Sequence, residues 1–298
     1  MTTENLHAAA DAPAPGENPW GEDAETLRAA DGVKLVLRSA RMAGAVRAEV
    51  VLVHGLGEHS GRYGHVARVL AERGLRMGGW DLRGHGRSGG ARGDARDYAL
   101  LVDDLARVVD HFVKKGRPWF LLAHSLGGQV ALRFLEERQP ACAGAVIAAP
   151  WLRLAFDPPW WKLALARAAL RVWPGFPQQT GHVGGRLSRD AAHLASLPEL
   201  ELVHHRISAR LYFAIRAAGE AALADAARLR VPLLLLHGED DPITCQHATG
   251  ELVGRAGSAD KTLRLYPGVR HEIHNDFGRE RVLAEVADWL EARLPAGA

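Results

Sequence analysis

Residues 121–135, LLAHSLGGQVALRFL, decide how this chain is to be read. The run from Trp119 to Ala123, opened by Pro118, reads as a strand buried on both faces, and Gln129 to Arg138 places apolar residues at helical spacing. Between the two stand Ala123, Ser125 and Gly127, a small-x-Ser-x-Gly turn. A serine on so sharp a strand-to-helix turn is held in a strained backbone conformation, which leaves room only for small neighbours two residues away. The pattern makes Ser125 a candidate nucleophile. The alternative is a serine that merely caps the helix.

Outward from this turn, strand-like and helix-like runs alternate, the sequence form of a mostly parallel sheet wrapped by helices. Strands are expected at Val33–Arg38, Ala48–Val53, Leu75–Trp80, Trp119–Ala123, Ala145–Ala149, Pro232–Leu236 and Thr262–Tyr266. The rhythm breaks once, from Trp151 to about Ala222, where Pro-, Trp- and Arg-rich helical pieces replace any buried strand. This divides the chain into a loose tail (1–25), an α/β core (26–150 and 223–298) and an inserted helical cap (151–222). With 298 residues, 47% of them hydrophobic and 24% charged, the chain can bury one extensive core plus such an insertion. Its 37 basic and 35 acidic residues are evenly spread, which excludes a nucleic-acid footprint. Cys142 and Cys245 have no paired spacing, so neither a disulfide framework nor a cysteine metal site is expected.

Open α/β sheets gather their chemistry at the carboxyl ends of strands. After Val53 comes His54-Gly55-Leu56-Gly57, a turn able to aim the Leu56 backbone N–H into a site, with the N–H of Leu126, just after the serine, facing it as the other half of an oxyanion hole. The strand LLLLH runs into GEDDPIT (Gly238–Thr244), which offers Asp240 and Asp241 as the acid that orients a catalytic base. Asp241, deeper in the loop and followed by Pro242, is the better placed; Asp240 is read as facing solvent. The last strand-to-helix loop, YPGVRHEIHNDFG, supplies His271 and His274. His271 lies nearer the strand end and is read as the base, His274 as a surface or supporting residue. HEIH is one residue short of the HExxH that puts two zinc ligands on one helical face, and no second cluster of oxygen ligands accompanies the acidic trio, so no metal is expected. His111, His193 and His247 are read as ordinary members of a set of fifteen histidines.

Taken together, VVLVHGLGEHSGRY (Val50–Tyr63), WDLRGHGRSGG (Trp80–Gly90), the serine turn, GEDDPIT and VRHEIHND resemble the monoacylglycerol lipase and lysophospholipase branch of the α/β-hydrolases, over roughly Thr26 to Leu294. The resemblance implies that fold, with a helical cap inserted after the sixth core strand. It also implies a Ser125, Asp241, His271 triad with Leu56 and Leu126 as backbone oxyanion donors, and no cofactor. Asp81 and Arg83 look like that family's structural loop. Ala123 departs from the glycine usual before the nucleophile, and Leu200-Glu201 stand where many relatives have Asp-Pro.

The implied activity is hydrolysis of monoacylglycerols or similar single-chain lipid esters, with lysophospholipase or short-chain carboxylesterase as alternatives and a non-catalytic ligand-binding member as the different class. Four of the eight tryptophans, Trp151, Trp160, Trp161 and Trp173, fall early in the cap beside Phe156, Leu163 and Phe176. Such side chains suit an acyl tunnel or the headgroup layer of a membrane, and otherwise a small cap core. Trp151, Phe156, Trp160, Trp161 and Leu163 are therefore the candidate substrate residues. Lys162, Arg167 and Arg171 would favour anionic lipid or simply solvate one helix face. Without a signal-peptide pattern or a spanning run, the expected location is cytoplasmic, with peripheral membrane contact through the cap.

Overall fold

The computed structural model describes residues 19–21, 24–180 and 184–295. Ten strands are formed among these: β1 (Glu25–Arg28), β2 (Lys34–Ser39), β3 (Ala48–Val53), β4 (Leu75–Trp80), β5 (Trp119–His124), β6 (Gly144–Ala148), β7 (Pro177–Gln179), β8 (Arg206–Ser208), β9 (Leu233–Gly238) and β10 (Lys261–Tyr266). Eight build the central sheet in the order β1-β2-β4-β3-β5-β6-β9-β10. The pairs from β4 through β3, β5, β6 and β9 to β10 are parallel, and only β1 on β2 and β2 on β4 are antiparallel.

The helices α1 (Gly64–Glu72), α2 (Ala99–Phe112), α3 (Ser125–Arg138), α4 (Trp160–Val172), α5 (Gly184–Leu187), α6 (Ala191–Ser196), α7 (Ala209–Asp225), α8 (Gln246–Arg255) and α9 (Arg279–Glu291) complete the described chain. Alternate residues of the central strands serve two cores. Val51, Val53, Leu121 and Leu235 pack with Leu105 of α2, Val130 of α3, Ile215 of α7 and Leu252 of α8. Val50, Leu52, Phe120 and Leu234 pack on the other face with Leu70 of α1 and Val286 of α9. Strands covered on both sides lose the apolar–polar alternation, which is why β3, β5 and β9 read as continuous apolar runs.

Three expectations are corrected. The reading of everything before Thr26 as a loose tail fails at Trp20, which is buried, bridges Ala40 and sends its indole N–H toward Gly61 O at 3.4 Å. A lone tryptophan between Pro19 and Gly21 has no periodicity to announce it; residues 1–18 lie outside the described residues. The cap is not wholly helical, because β7 and β8 pair antiparallel within it. Strands of three residues are too short to show an alternation. The expected return to the core at residue 223 falls inside one helix: α7 is continuous from Ala209 to Asp225, and Gly219 brings it so close that a Cβ there would lie 2.1 Å from Leu152 O.

Candidate active site

β5 ends at His124, and Ser125 opens α3 with φ of 54°, a left-handed conformation that a side chain tolerates only at a cost. Gly127 meets the end of β3, where a Cβ would fall 2.2 Å from Val53 O and 2.4 Å from His54 O. That close approach explains the glycine. Leu126 lies in the first turn of α3, where backbone N–H groups have no intrahelical partner. Leu56, beyond the end of β3, lines the same cavity as Ser125.

The loops after β9 and β10 bring two further side chains to the serine. His271 Nε2 lies 3.0 Å from Ser125 Oγ, and His271 Nδ1 lies 2.7 Å from Asp241 Oδ2. Asp241 is held in turn by the backbone N–H groups of Ile243 (2.7 Å) and Thr244 (3.1 Å) and by the Thr244 hydroxyl (2.7 Å). Burial alone would raise its pKa. The charge of His271 and hydrogen bonds from His237, His271 and Thr244 outweigh that and hold the carboxyl far below the usual range. Asp240 is exposed and takes no part.

His274 corrects the reading of it as a surface residue. It is buried, stacks on Tyr63 at 4.7 Å and lies 5.0 Å from His124, ring to ring. Burial and the neighbouring His124 keep its imidazole neutral, its pKa well below the ordinary value. It packs behind the His271 loop. Asp81 accepts from Ser60 N and Oγ (2.9 and 2.7 Å) and from Arg87 N (2.8 Å), and Arg83 pairs with Asp104 and Asp31 at 2.7 Å each, so both knit loops together.

Sequence reasoning missed the polar network beneath these loops. Glu58 accepts from Gly55 N (2.6 Å), Tyr63 Oη (2.9 Å), Arg62 (2.7 Å) and His124 Nδ1 (3.1 Å). Arg62 also forks onto Glu272, with both bonds at 2.9 Å. His124 Nε2 faces the His271 carbonyl at 3.2 Å. Both nitrogens of His124 thus face acceptors, the arrangement an imidazolium needs. Burial works against that charge, but Glu58 outweighs it and lifts the pKa above its usual value. The signal was the string EHSGRY itself, whose Glu58, Arg62 and Tyr63 are spaced to meet on one turn.

Over Ser125 and His271 the cap encloses a cavity of about 250 Å³, with Trp151, Phe156, Leu163 and Tyr212 in its wall. Trp160 and Trp161 are not among its lining residues, a correction to their placement at the substrate; they stand 80% and 49% exposed on the outside of α4. Lys162 and Arg186 line the cavity and no carboxylate does, among the described residues. No cluster of His, Cys, Asp or Glu able to hold a metal ion occurs among the described residues.

The sequence profile of the family described as "Serine aminopeptidase, S33" (Hydrolase_4) matches residues 44–277. The monoacylglycerol lipase of Mycolicibacterium smegmatis is 32% identical over 254 residues, covering 83% of this chain and 89% of that protein. The human monoglyceride lipase is 31% identical over 280 residues, covering 91% of each. The chain also spans 26% of the length of an uncharacterized abhydrolase domain-containing protein of Dictyostelium discoideum, at 32% identity. Among solved structures, a monoacylglycerol lipase from Paleococcus ferrophilus superposes with a TM-score of 0.79 at 33% identity, covering 87% of this chain and 99% of its own. The chain therefore belongs to the Hydrolase_4 family of serine hydrolases, within the monoacylglycerol lipase branch of the α/β-hydrolases.

Proposed function

We propose that the protein cleaves monoacylglycerols or similar single-chain lipid esters to fatty acid and alcohol. The observation that carries this reading is the hydrogen-bonded line Ser125, His271, Asp241 opening into a cap-covered cavity with an apolar wall. Ser125 Oγ attacks the ester carbonyl as His271 Nε2 takes its proton. The carbonyl oxygen, now anionic, accepts from the N–H groups of Leu56 and Leu126. His271 then protonates the leaving alcohol, and the acyl group stays on Ser125. A water molecule, its proton drawn off by His271, attacks this ester, and His271 passes that proton to Ser125 Oγ as the acyl–oxygen bond breaks and the acid leaves. Asp241 holds the imidazole in the tautomer and orientation both steps require.

A second reading is supported by Lys162 and Arg186, two cations on a cavity wall without a carboxylate: the same chemistry on a lysophospholipid with an anionic headgroup. Turnover of lysophosphatidylglycerol beside a monoacylglycerol of equal chain length decides between them. Ser125→Ala tests the common chemistry. It removes one oxygen atom, so the variant should stay folded while losing both ester hydrolysis and labelling by a fluorophosphonate. Wild-type-like turnover in the variant, or labelling at another serine, refutes the assignment.

Contact with a lipid surface belongs to the same proposal. No helix among the described residues is long and apolar enough to cross a membrane. On α4 and just beyond it, however, Trp160, Trp161, Leu165, Val172 and Trp173 are exposed beside Lys162, Arg167 and Arg171, with no acidic residue on the helix. An apolar and basic face of this kind rests in the headgroup layer rather than crossing it.

A further inference from the structure

We propose that His237 is a positioning residue for the acid of this site: it donates a hydrogen bond from Nε2 to Asp241 and is itself anchored by Thr249. The inference rests on the ester-hydrolase reading above.

His237 is the penultimate residue of β9 and is fully buried. Its Nε2 lies 3.2 Å from Asp241 Oδ2 and 3.2 Å from the carbonyl oxygen of Thr244. A carboxylate and a carbonyl only accept, so the ring must carry a proton on Nε2. The Thr244 hydroxyl is 3.3 Å from the same nitrogen, but its single proton goes to Asp241 Oδ2 at 2.7 Å. It too is an acceptor toward His237. Nδ1 meets the buried Thr249 hydroxyl of α8 at 2.9 Å, which donates to it and fixes the plane of the ring. The residue paired with His237 across the sheet, Leu265 of β10, is apolar, and the one ion-pair contact of this imidazole among the described residues is to Asp241, which in turn holds His271.

Asp241 Oδ2 therefore accepts from His271 and Thr244 and lies 3.2 Å from His237 Nε2, whose single proton it shares with the Thr244 carbonyl. Its two neighbours in the loop, Ile243 and Thr244, occupy Oδ1 through their backbone N–H groups. With every direction taken, the carboxylate cannot rotate away from His271, and part of its charge is spread onto the His237 N–H. Removing that donor frees one side of the carboxylate and concentrates its charge on the bond to His271. Imidazolium would be favoured, and the base would need a higher pH to accept the serine's proton.

Two substitutions separate this role from mere packing. His237→Gln keeps an N–H donor at the place of Nε2, whereas His237→Leu fills the volume without one. On a soluble short-chain ester, the Leu variant should lose about tenfold or more in kcat with KM within about twofold, as expected for a positioning residue that acts on the reacting groups. The acidic limb of its pH–rate profile should move to higher pH. The downfield proton resonance of the His271 Nδ1–H bond to Asp241 should shift as well. The Gln variant should restore all three. If both variants lose activity only in proportion to lost folded protein, with limb and resonance unmoved, His237 is packing and the proposal is overturned. Should the Leu variant fail to fold, Thr249→Val removes the anchor while keeping its shape, and an unmoved limb and resonance there overturn the proposal equally. A wild type that hydrolyses no ester would refute the hydrolase reading instead, and the proton resonance would still decide the role of His237.

Discussion

At the residue scale, adjacent side chains of the same type have opposite fates. Asp241 takes four hydrogen bonds and faces His237 while Asp240 faces water, and His271 touches Ser125 while His274 packs against Tyr63. Asp241→Asn and His271→Ala should each lower kcat on the order of 10³-fold or more, because the imidazole is lost or held in the wrong tautomer. Asp240→Asn should leave kcat within about twofold of wild type, since an exposed side chain off the hydrogen-bonded line alters no reacting group. His274→Ala opens a space behind the base and should cost about 1–3 kcal/mol of stability, read by denaturant unfolding, with a smaller loss in kcat than His271→Ala. A larger kcat loss at His274 would place the base wrongly. Much of this was legible: Ser125, Asp241 and His271 each follow a strand that the sequence marks clearly, and such ends are where this architecture collects its chemistry. Glu58 and Arg62 were legible only as a spacing that lets them meet on one turn, because a buried ion pair and a solvated one look alike until the partners' positions are known.

At the scale of the element, α3 carries both the serine and an ionisable side chain with no role in the chemistry. Glu136 is buried in the third turn beyond it, pairs with Arg133 at 2.8 Å through one oxygen and leaves the other without a partner. Burial raises its pKa from 4.5 to about 8, outweighing the charge of Arg133. Between those two values the folded chain keeps a proton that the unfolded chain has shed, so stability falls as pH rises through the window. Glu136→Gln should therefore be neutral below the lower value and stabilising by about 1–3 kcal/mol near pH 8, measured as Tm against pH. A gain that is the same at every pH would refute the titration. The strands around α3 were readable because burial on two faces writes a long apolar run. The strand β1 was not, since three of its four residues are exposed, and β7 and β8 are too short to show any pattern.

For the whole molecule, the cap has two sides with different duties. Trp151, Phe156 and Leu163 line the cavity, while Trp160 and Trp161 stand outside it. The cluster of aromatics was visible in the sequence, but which of them turn inward depends on how α4 lies over the sheet, and composition does not encode that. Replacing Trp160 and Trp161 by serine should leave Tm and short-ester turnover near wild type while cutting activity on long-chain vesicles by about tenfold, since only the latter depends on burying apolar surface at a lipid boundary. Equal loss of both activities together with a lower Tm would make them cap core. The cap also splits the site along the chain: Ser125 precedes the insertion, and its base follows 146 residues later. Translation thus delivers the nucleophile long before anything can take its proton. A nascent chain that has released only the first six core strands has its serine but no base beside it, and remains inert toward nearby esters until the loop that carries His271 has left the ribosome and folded.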